Sequence, residues 1–203
     1  MDREESSDYL RSCRNDFWRQ VFAAEIDYLL PCLQAGDEIL SVGCGPAIIE
    51  SSLKEHGFSV VGLDVSKEAL ACAPDTVRTV VAPADKIPFG DASFHVVLFI
   101  VSLQFIEKYR QALIEAKRVL RPEGRVIAML LNPASAFFKR KMAESDSYVR
   151  RIRHTDLKEV ESAILAEGFE VQSEFFLGIH EDLIFTSKAP ESAALYIVQG
   201  IKP

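Results

Sequence analysis

Residues 94–101 (FHVVLFIV) constrain this chain more than any other segment, because they are apolar at nearly every position. An alternating pattern would cover one face of a sheet, but this run needs cover on both, as in the middle of a parallel sheet with helices on each side. The flanking sequence supplies the helices. Residues 38–42 (EILSV) form a strand, Gly43-Cys44-Gly45-Pro46 a tight turn with Pro46 in the first helical turn, and residues 47–56 a helix closed by Gly57. Residues 58–63 (FSVVGL) form a second strand ended by Asp64, and Ser66 caps a short helix over 67–72. A third strand over 76–82 leads into the loop PADKIPFGDAS, then strand 94–101. A helix over 107–120 stops at Pro122 and Gly124, and residues 125–131 (RVIAMLL) form a fifth strand. Strand and helix alternate throughout, which predicts right-handed crossovers and a three-layer α/β sandwich.

The two ends differ. Residues 8–33 read as a helix with Phe17, Val21, Ala24 and Tyr28 on one face, broken by Pro31 and Gly36. Residues 133–154 are mixed, basic and aromatic. Thr155 caps a helix to about residue 167, with Asp156 at its positive end, and Gly168 ends it. Residues 169–176 and 195–201 are closing strands with 178–194 between them. The expected organisation is an N-terminal helical cap or lid over 1–36 and one globular unit over 37–203.

Composition narrows the setting. The 203 residues suit one α/β domain, and 48% hydrophobic content builds a sizeable core. A net charge of −7 disfavours nucleic acid and anionic membrane surfaces as partners. No eighteen-residue apolar run offers a membrane span, and the acidic start MDREESSDYLRSCRND lacks the order of a secretory signal. Cys13, Cys32, Cys44 and Cys72 are scattered, as expected of reduced thiols in the cytoplasm, and no metal site is expected.

Chemistry concentrates at the first turn. Gly43-x-Gly45 lies between strand and helix, at the edge where open α/β sheets bind ligands. Glycine there permits positive φ and close approach of a ligand to the backbone. Asp64 follows Gly45 by nineteen residues, so it can accept the ribose hydroxyls of an adenosine or cap the next turn. A dinucleotide fingerprint would put a third glycine at position 48, where Ile48 stands. That argues against a nicotinamide-dependent oxidoreductase.

Five ordered segments resemble the class I S-adenosylmethionine-dependent methyltransferase family, in particular its small, type 11-like members that act on small molecules and lipid-soluble quinones. These are EILSVGCGPA, VVGLDVS, PADKIPFGDASFHVVLF, EAKRVLRPEGRVI and LKEVESAILAEGFEV. The resemblance implies a Rossmann-like αβα fold, with a mostly parallel seven-stranded sheet and an antiparallel final strand. It implies S-adenosyl-L-methionine as cofactor and a small-molecule acceptor. Gly43, Cys44 and Gly45 would contact the methionine part. Asp64 would hold the ribose, and Val65 would pack on the adenine. Asp85 would accept the adenine amino group with Ala84 and Lys86 beside it, and Phe99 would lie near the methionine. Five positions depart from the family pattern: Ser41 replaces an acid, Ala47 a glycine, His95 an aspartate, Phe105 a histidine, and Glu123-Gly124 a Gly-Gly. They support an alternative, a non-catalytic cofactor- or partner-binding protein that keeps the fold.

Methyl transfer needs alignment and exclusion of water more than a catalytic side chain. None of His56, His95, His154 and His180 is assigned a catalytic role. Gln104, Phe137 and Phe138 are candidate acceptor contacts. Segment 133–154 either borders the acceptor pocket or is a solvated helix over the sheet, and the helix around Phe17, Trp18 and Phe22 poses the same choice. An N-P-P-Y-like motif of nucleic-acid methylation is absent after the fourth strand, where LFIVSLQ stands.

Overall fold

The computed structural model describes residues 15–203; Cys13 and the expected helical stretch over 8–14 lie outside the described residues. The chain runs α1 (Asp16–Leu29), β1 (Glu38–Val42), α2 (Ile48–Glu55), β2 (Ser59–Asp64), α3 (Lys67–Leu70), β3 (Arg78–Val81), β4 (Phe94–Ile100), α4 (Tyr109–Val119) and β5 (Leu120–Leu131). It continues with α5 (Ala136–Ala143), α6 (Leu157–Ala166), β6 (Glu170–His180), β7 (Leu183–Phe185) and β8 (Ala193–Ile201).

Among the described residues all eight strands join one sheet in the order β3-β2-β1-β4-β5-β8-β6-β7. Strands β1 to β5 pair in parallel, and β8 inserts antiparallel between β5 and β6. The expected αβα architecture holds. The count of seven strands is corrected to eight, because the connection after β6 turns back as β7 and pairs with it antiparallel.

β4 sits near the centre, and Val96, Val97, Leu98 and Phe99 are fully buried, as an apolar strand covered on both faces requires. One face packs Leu40, Val97 and Phe99 against α4 and α6. The other packs Ile39, Val96 and Leu98 against α1, α2 and α5. Helix α1 contributes Val21, Ile26 and Leu29 to this second core. The expected apolar face is slightly rotated, since Ala24 is only partly buried while Glu25 is buried.

Local expectations also shift. Asp156 caps α6, accepting from the Lys158 and Glu159 N–H groups, where Thr155 was expected. Pro46 stays in the turn, and Ala47 precedes α2 in the left-handed conformation at φ 57°. Glu123 is left-handed too, at φ 61°, in the bulge where the register between β4 and β5 shifts. A β-carbon in that conformation costs about 1 kcal/mol or more. Glu123 is exposed, so substitution removes no buried contact. Glu123→Gly is expected to stabilise the fold by about 0.5–1 kcal/mol, read as a higher urea midpoint at unchanged slope.

Candidate cofactor and acceptor site

β1, β2 and β4 run in register, with Ser41 opposite both Gly62 and Leu98, so their carboxyl ends form one edge. The turn after β1 folds across that edge: the Gly43 N–H donates to the Leu63 carbonyl at 2.7 Å. Gly43 has φ 78° and Gly45 φ 53°. A β-carbon on Gly43 would fall 2.5 Å from Ser102 Cβ, so this position demands glycine on two grounds. Ser102 itself donates to the Val42 carbonyl at 2.6 Å, fastening the end of β4 to the end of β1. Beside Gly45 the space is open, with no atom within 4 Å of where a β-carbon would stand.

Asp64 joins the turn to β2. Its Oδ2 accepts from the Gly45 N–H and its Oδ1 from the Ser66 N–H, both at 2.8 Å. Each oxygen keeps a further lone pair for a ligand hydroxyl. Val65, next along the chain, is an apolar side chain with 72% of its surface exposed, the kind of platform a flat ring covers. The glycine turn, its open side and the adjoining acid fit an adenosine cofactor without phosphate.

The loop after β3 borders the same edge. Asp85 accepts from Lys108 Nζ at 2.9 Å, and that bond holds its carboxyl below the ordinary range. Lys86 is exposed and Ala84 half-buried beside it. Arg118 ties the loop down through the Ile87 and Phe89 carbonyls, at 2.9 and 2.8 Å.

Two buried acids, Glu25 and Glu50, were not singled out from sequence. Glu50, on the first turn of α2, accepts from the Ser41 hydroxyl. Burial pushes its pKa up to about 7. This carboxylate lies against Ser41, at the position where the family pattern has an acid. Glu25 on α1 faces Glu50 electrostatically, and burial first, then Glu50, raises its pKa to about 8.

Glu25 also lines a partly open recess at this edge. Trp18, Phe137 and Tyr148 wall it, with Val101 from beyond β4 and Leu131 from the end of β5. Trp18 packs at 6.2 Å from both Phe137 and Tyr148, ring centre to ring centre.

The structure sorts the expected contacts. Phe137 does line the recess. Phe138 is buried in the core between α1, α5 and the sheet, which corrects its expected place in a pocket. Gln104 is corrected as well: it is fully buried, donating to the Leu131 and His154 carbonyls and accepting from the Leu131 N–H. All of its polar atoms are spent on backbone, so it faces no ligand. Phe99 is likewise enclosed in the core against α4, with no free surface for a cofactor. The histidines stand apart from the recess. His95 accepts from the Glu38 N–H at the opposite sheet edge, His154 packs on Tyr109 at 4.4 Å, and His56 and His180 are exposed. Among the described residues no cluster of metal ligands occurs, and no helix is long and apolar enough to cross a membrane.

A doubly wound sheet with a glycine turn and an acid at adjacent strand ends defines a nucleoside-cofactor fold of the Rossmann-like class. Residues 40–128 match the family model described as a methyltransferase domain. The matched segment is similar to the class I S-adenosylmethionine-dependent methyltransferases, and S-adenosylmethionine is the cofactor of that family.

A biotin biosynthesis bifunctional protein BioHC of Cellvibrio japonicus is 27% identical over 157 residues, covering 75% of this chain and 31% of that protein. A demethylmenaquinone methyltransferase of Corynebacterium glutamicum is 32% identical over 110 residues, covering 54% and 46% respectively. The chain thus matches less than half the length of these curated relatives. The fold is shared with a solved S-adenosylmethionine-dependent methyltransferase of Thermotoga maritima, described as a possible histamine N-methyltransferase. Its TM-score is 0.82 at 19% identity, over 99% of this chain and 97% of that one. An Archaeoglobus fulgidus methyltransferase gives 0.77 at 15% identity, over 96% and 98%.

Proposed function

We propose that this chain transfers a methyl group from S-adenosylmethionine to a small-molecule acceptor. The observation that carries the reading is the open glycine turn tied to Asp64, with exposed Val65 beside it. In this reading Gly43, Cys44 and Gly45 hold the methionine part and Asp64 the ribose hydroxyls. Val65 covers the adenine, and Asp85, flanked by Ala84 and Lys86, takes its amino group. The cofactor supplies an activated methyl on a sulfonium, so the protein's part is to position the acceptor and exclude water.

The relatives named for a quinone precursor and for biotin biosynthesis support a small acceptor. The charge of −7 supports a reading without nucleic acid, and the absence of a membrane-crossing helix among the described residues supports work in the cytoplasm. Residues 1–36 serve as the N-terminal cap, and 37–203 as the catalytic unit. Ser41 favoured a non-catalytic alternative, and the Glu50 carboxylate seated against it weakens that case.

The test is calorimetric titration with S-adenosylhomocysteine, followed by incubation with methyl-labelled S-adenosylmethionine and a panel of small amines, phenols and acids. Micromolar binding, about −7 to −8 kcal/mol, with label on an acceptor is the expected result. Binding without transfer to any acceptor would put the non-catalytic alternative first.

A further inference from the structure

Glu25 is a carboxylate with no assigned partner of opposite charge. It is 3% exposed, and among the described residues its side chain makes no hydrogen bond or ion pair. A buried charge without a partner is costly, and natural folds keep such groups where function uses them. Among the described residues its electrostatic neighbour is another acid, Glu50. The strand residues lining the recess bring no charge, and Tyr148 is the other titratable group in its wall. The rest of that wall is aromatic and aliphatic, with Trp18, Phe137 and Tyr148 grouped together. One carboxylate among aromatic rings complements a cation with an apolar body, through an ion pair at one end and ring faces around it.

We propose that this recess binds a protonated amine with a small apolar or aromatic body, with Glu25 as its counter-ion, and that such an amine is the methyl acceptor: Glu25 would take one ammonium proton, and the freed nitrogen lone pair would bond to the methyl carbon as its bond to the sulfonium sulfur breaks, releasing S-adenosylhomocysteine. The inference rests on the methyltransferase reading and names its substrate class. The site's place supports it. Val101 and Leu131 put the recess at the carboxyl edge of β4 and β5, and the acids run from Glu25 through Glu50 toward Asp64 at the cofactor turn. Glu50, seated against Ser41 on β1, stays with the turn, which leaves Glu25 to the acceptor.

The ionisation of Glu25 adds a signature. With its pKa raised to about 8, the empty site is mostly protonated at pH 6.5, and a cation must displace that proton. Amine affinity is then expected to rise several-fold to about tenfold per pH unit toward pH 8, while the amine itself stays charged.

The probes are 2-phenylethylamine and its uncharged isostere 2-phenylethanol, titrated into the protein saturated with S-adenosylhomocysteine. Wild type is expected to bind the amine at least tenfold tighter than the alcohol. Glu25→Gln is expected to erase that difference and the pH dependence, while still binding S-adenosylhomocysteine. Glu25→Asp, whose shorter side chain draws the charge back, serves as the second variant and is expected to fall between the two. Equal binding of amine and alcohol, or an unchanged preference in Glu25→Gln, would overturn the inference and leave the methyltransferase reading standing. Loss of S-adenosylhomocysteine binding in Glu25→Gln would assign this carboxylate to the cofactor and overturn it too. Failure of wild type to bind S-adenosylhomocysteine would overturn the underlying reading, and this inference with it.

Discussion

Asp64→Ala is expected to weaken S-adenosylhomocysteine binding at least 100-fold while the protein stays folded. Two losses combine. In the proposed site the carboxylate accepts both ribose hydroxyls, and hydrogen bonds to a charged acceptor are worth about 1.5–3 kcal/mol each. The same carboxylate also orders the turn, accepting from the Gly45 and Ser66 N–H groups. Removing it lets Gly45 leave its left-handed conformation and costs about 1–2 kcal/mol of stability, visible as a lower melting temperature. Asp64→Asn separates the two roles. Its single oxygen can serve one of the two N–H donors, while its NH₂ faces the other, so an intermediate affinity is expected. Binding of the alanine variant at wild-type strength would reduce Asp64 to a turn former and move the cofactor elsewhere.

The second large effect is an inverted pH profile of stability. Glu25 and Glu50 are buried acids whose pKa values rise from 4.5 to about 8 and about 7. For a raised acid the folded state holds its proton more tightly than the unfolded chain. The contribution of these two acids is therefore most favourable below about pH 4.5, where both states are protonated. That contribution is lost progressively as pH rises toward about 7 for Glu50 and about 8 for Glu25, and is level above that. Between pH 5 and 8 the apoprotein is expected to become less stable with rising pH. Ordinary salt-bridged carboxylates such as Glu174, whose pKa is lowered by Lys188 and Tyr28, act the other way, but mainly below about pH 5. Glu25→Gln removes the buried charge and keeps the shape. It should raise the melting temperature at pH 8 by several degrees and leave it nearly unchanged at pH 5. A variant less stable than wild type at pH 8 would mean that Glu25 is paired and ionised in the apoprotein.

What could be read in advance follows from how local each feature is. The order of strands and helices is written in short apolar runs such as residues 94–101, and the cofactor turn lies within one βαβ unit from Glu38 to Asp64. The recess is different. Its lining runs from Trp18 to Leu195, and most of it lies outside residues 40–128, the stretch that carries the family match. Gln104 and Phe138 had plausible positions after β4 and β5, yet tertiary packing turned both inward. Ser102 carried no signal, because its role is a contact with a glycine 59 residues earlier. Glu25 did carry one: it falls four residues after Val21 and four before Leu29, an acid in an apolar stripe. Glu50 was legible as the counterpart of the missing acid only once Ser41 was seen to donate to it.

Cys44 sits in the cofactor turn with its sulfur 2.6 Å from where a β-carbon on Gly62 would be, so that glycine leaves room for it. A thiolate in such a place would be a hazard, since a sulfonium methyl is an electrophile and sulfur is the strongest nucleophile a protein offers. Burial, together with the nearby Glu50 and Asp64, pushes the Cys44 thiol far above its ordinary pKa. Only the thiolate attacks carbon readily. In the proposed site, burial first and these acids second would therefore keep the thiol from attacking a sulfonium methyl held by the turn.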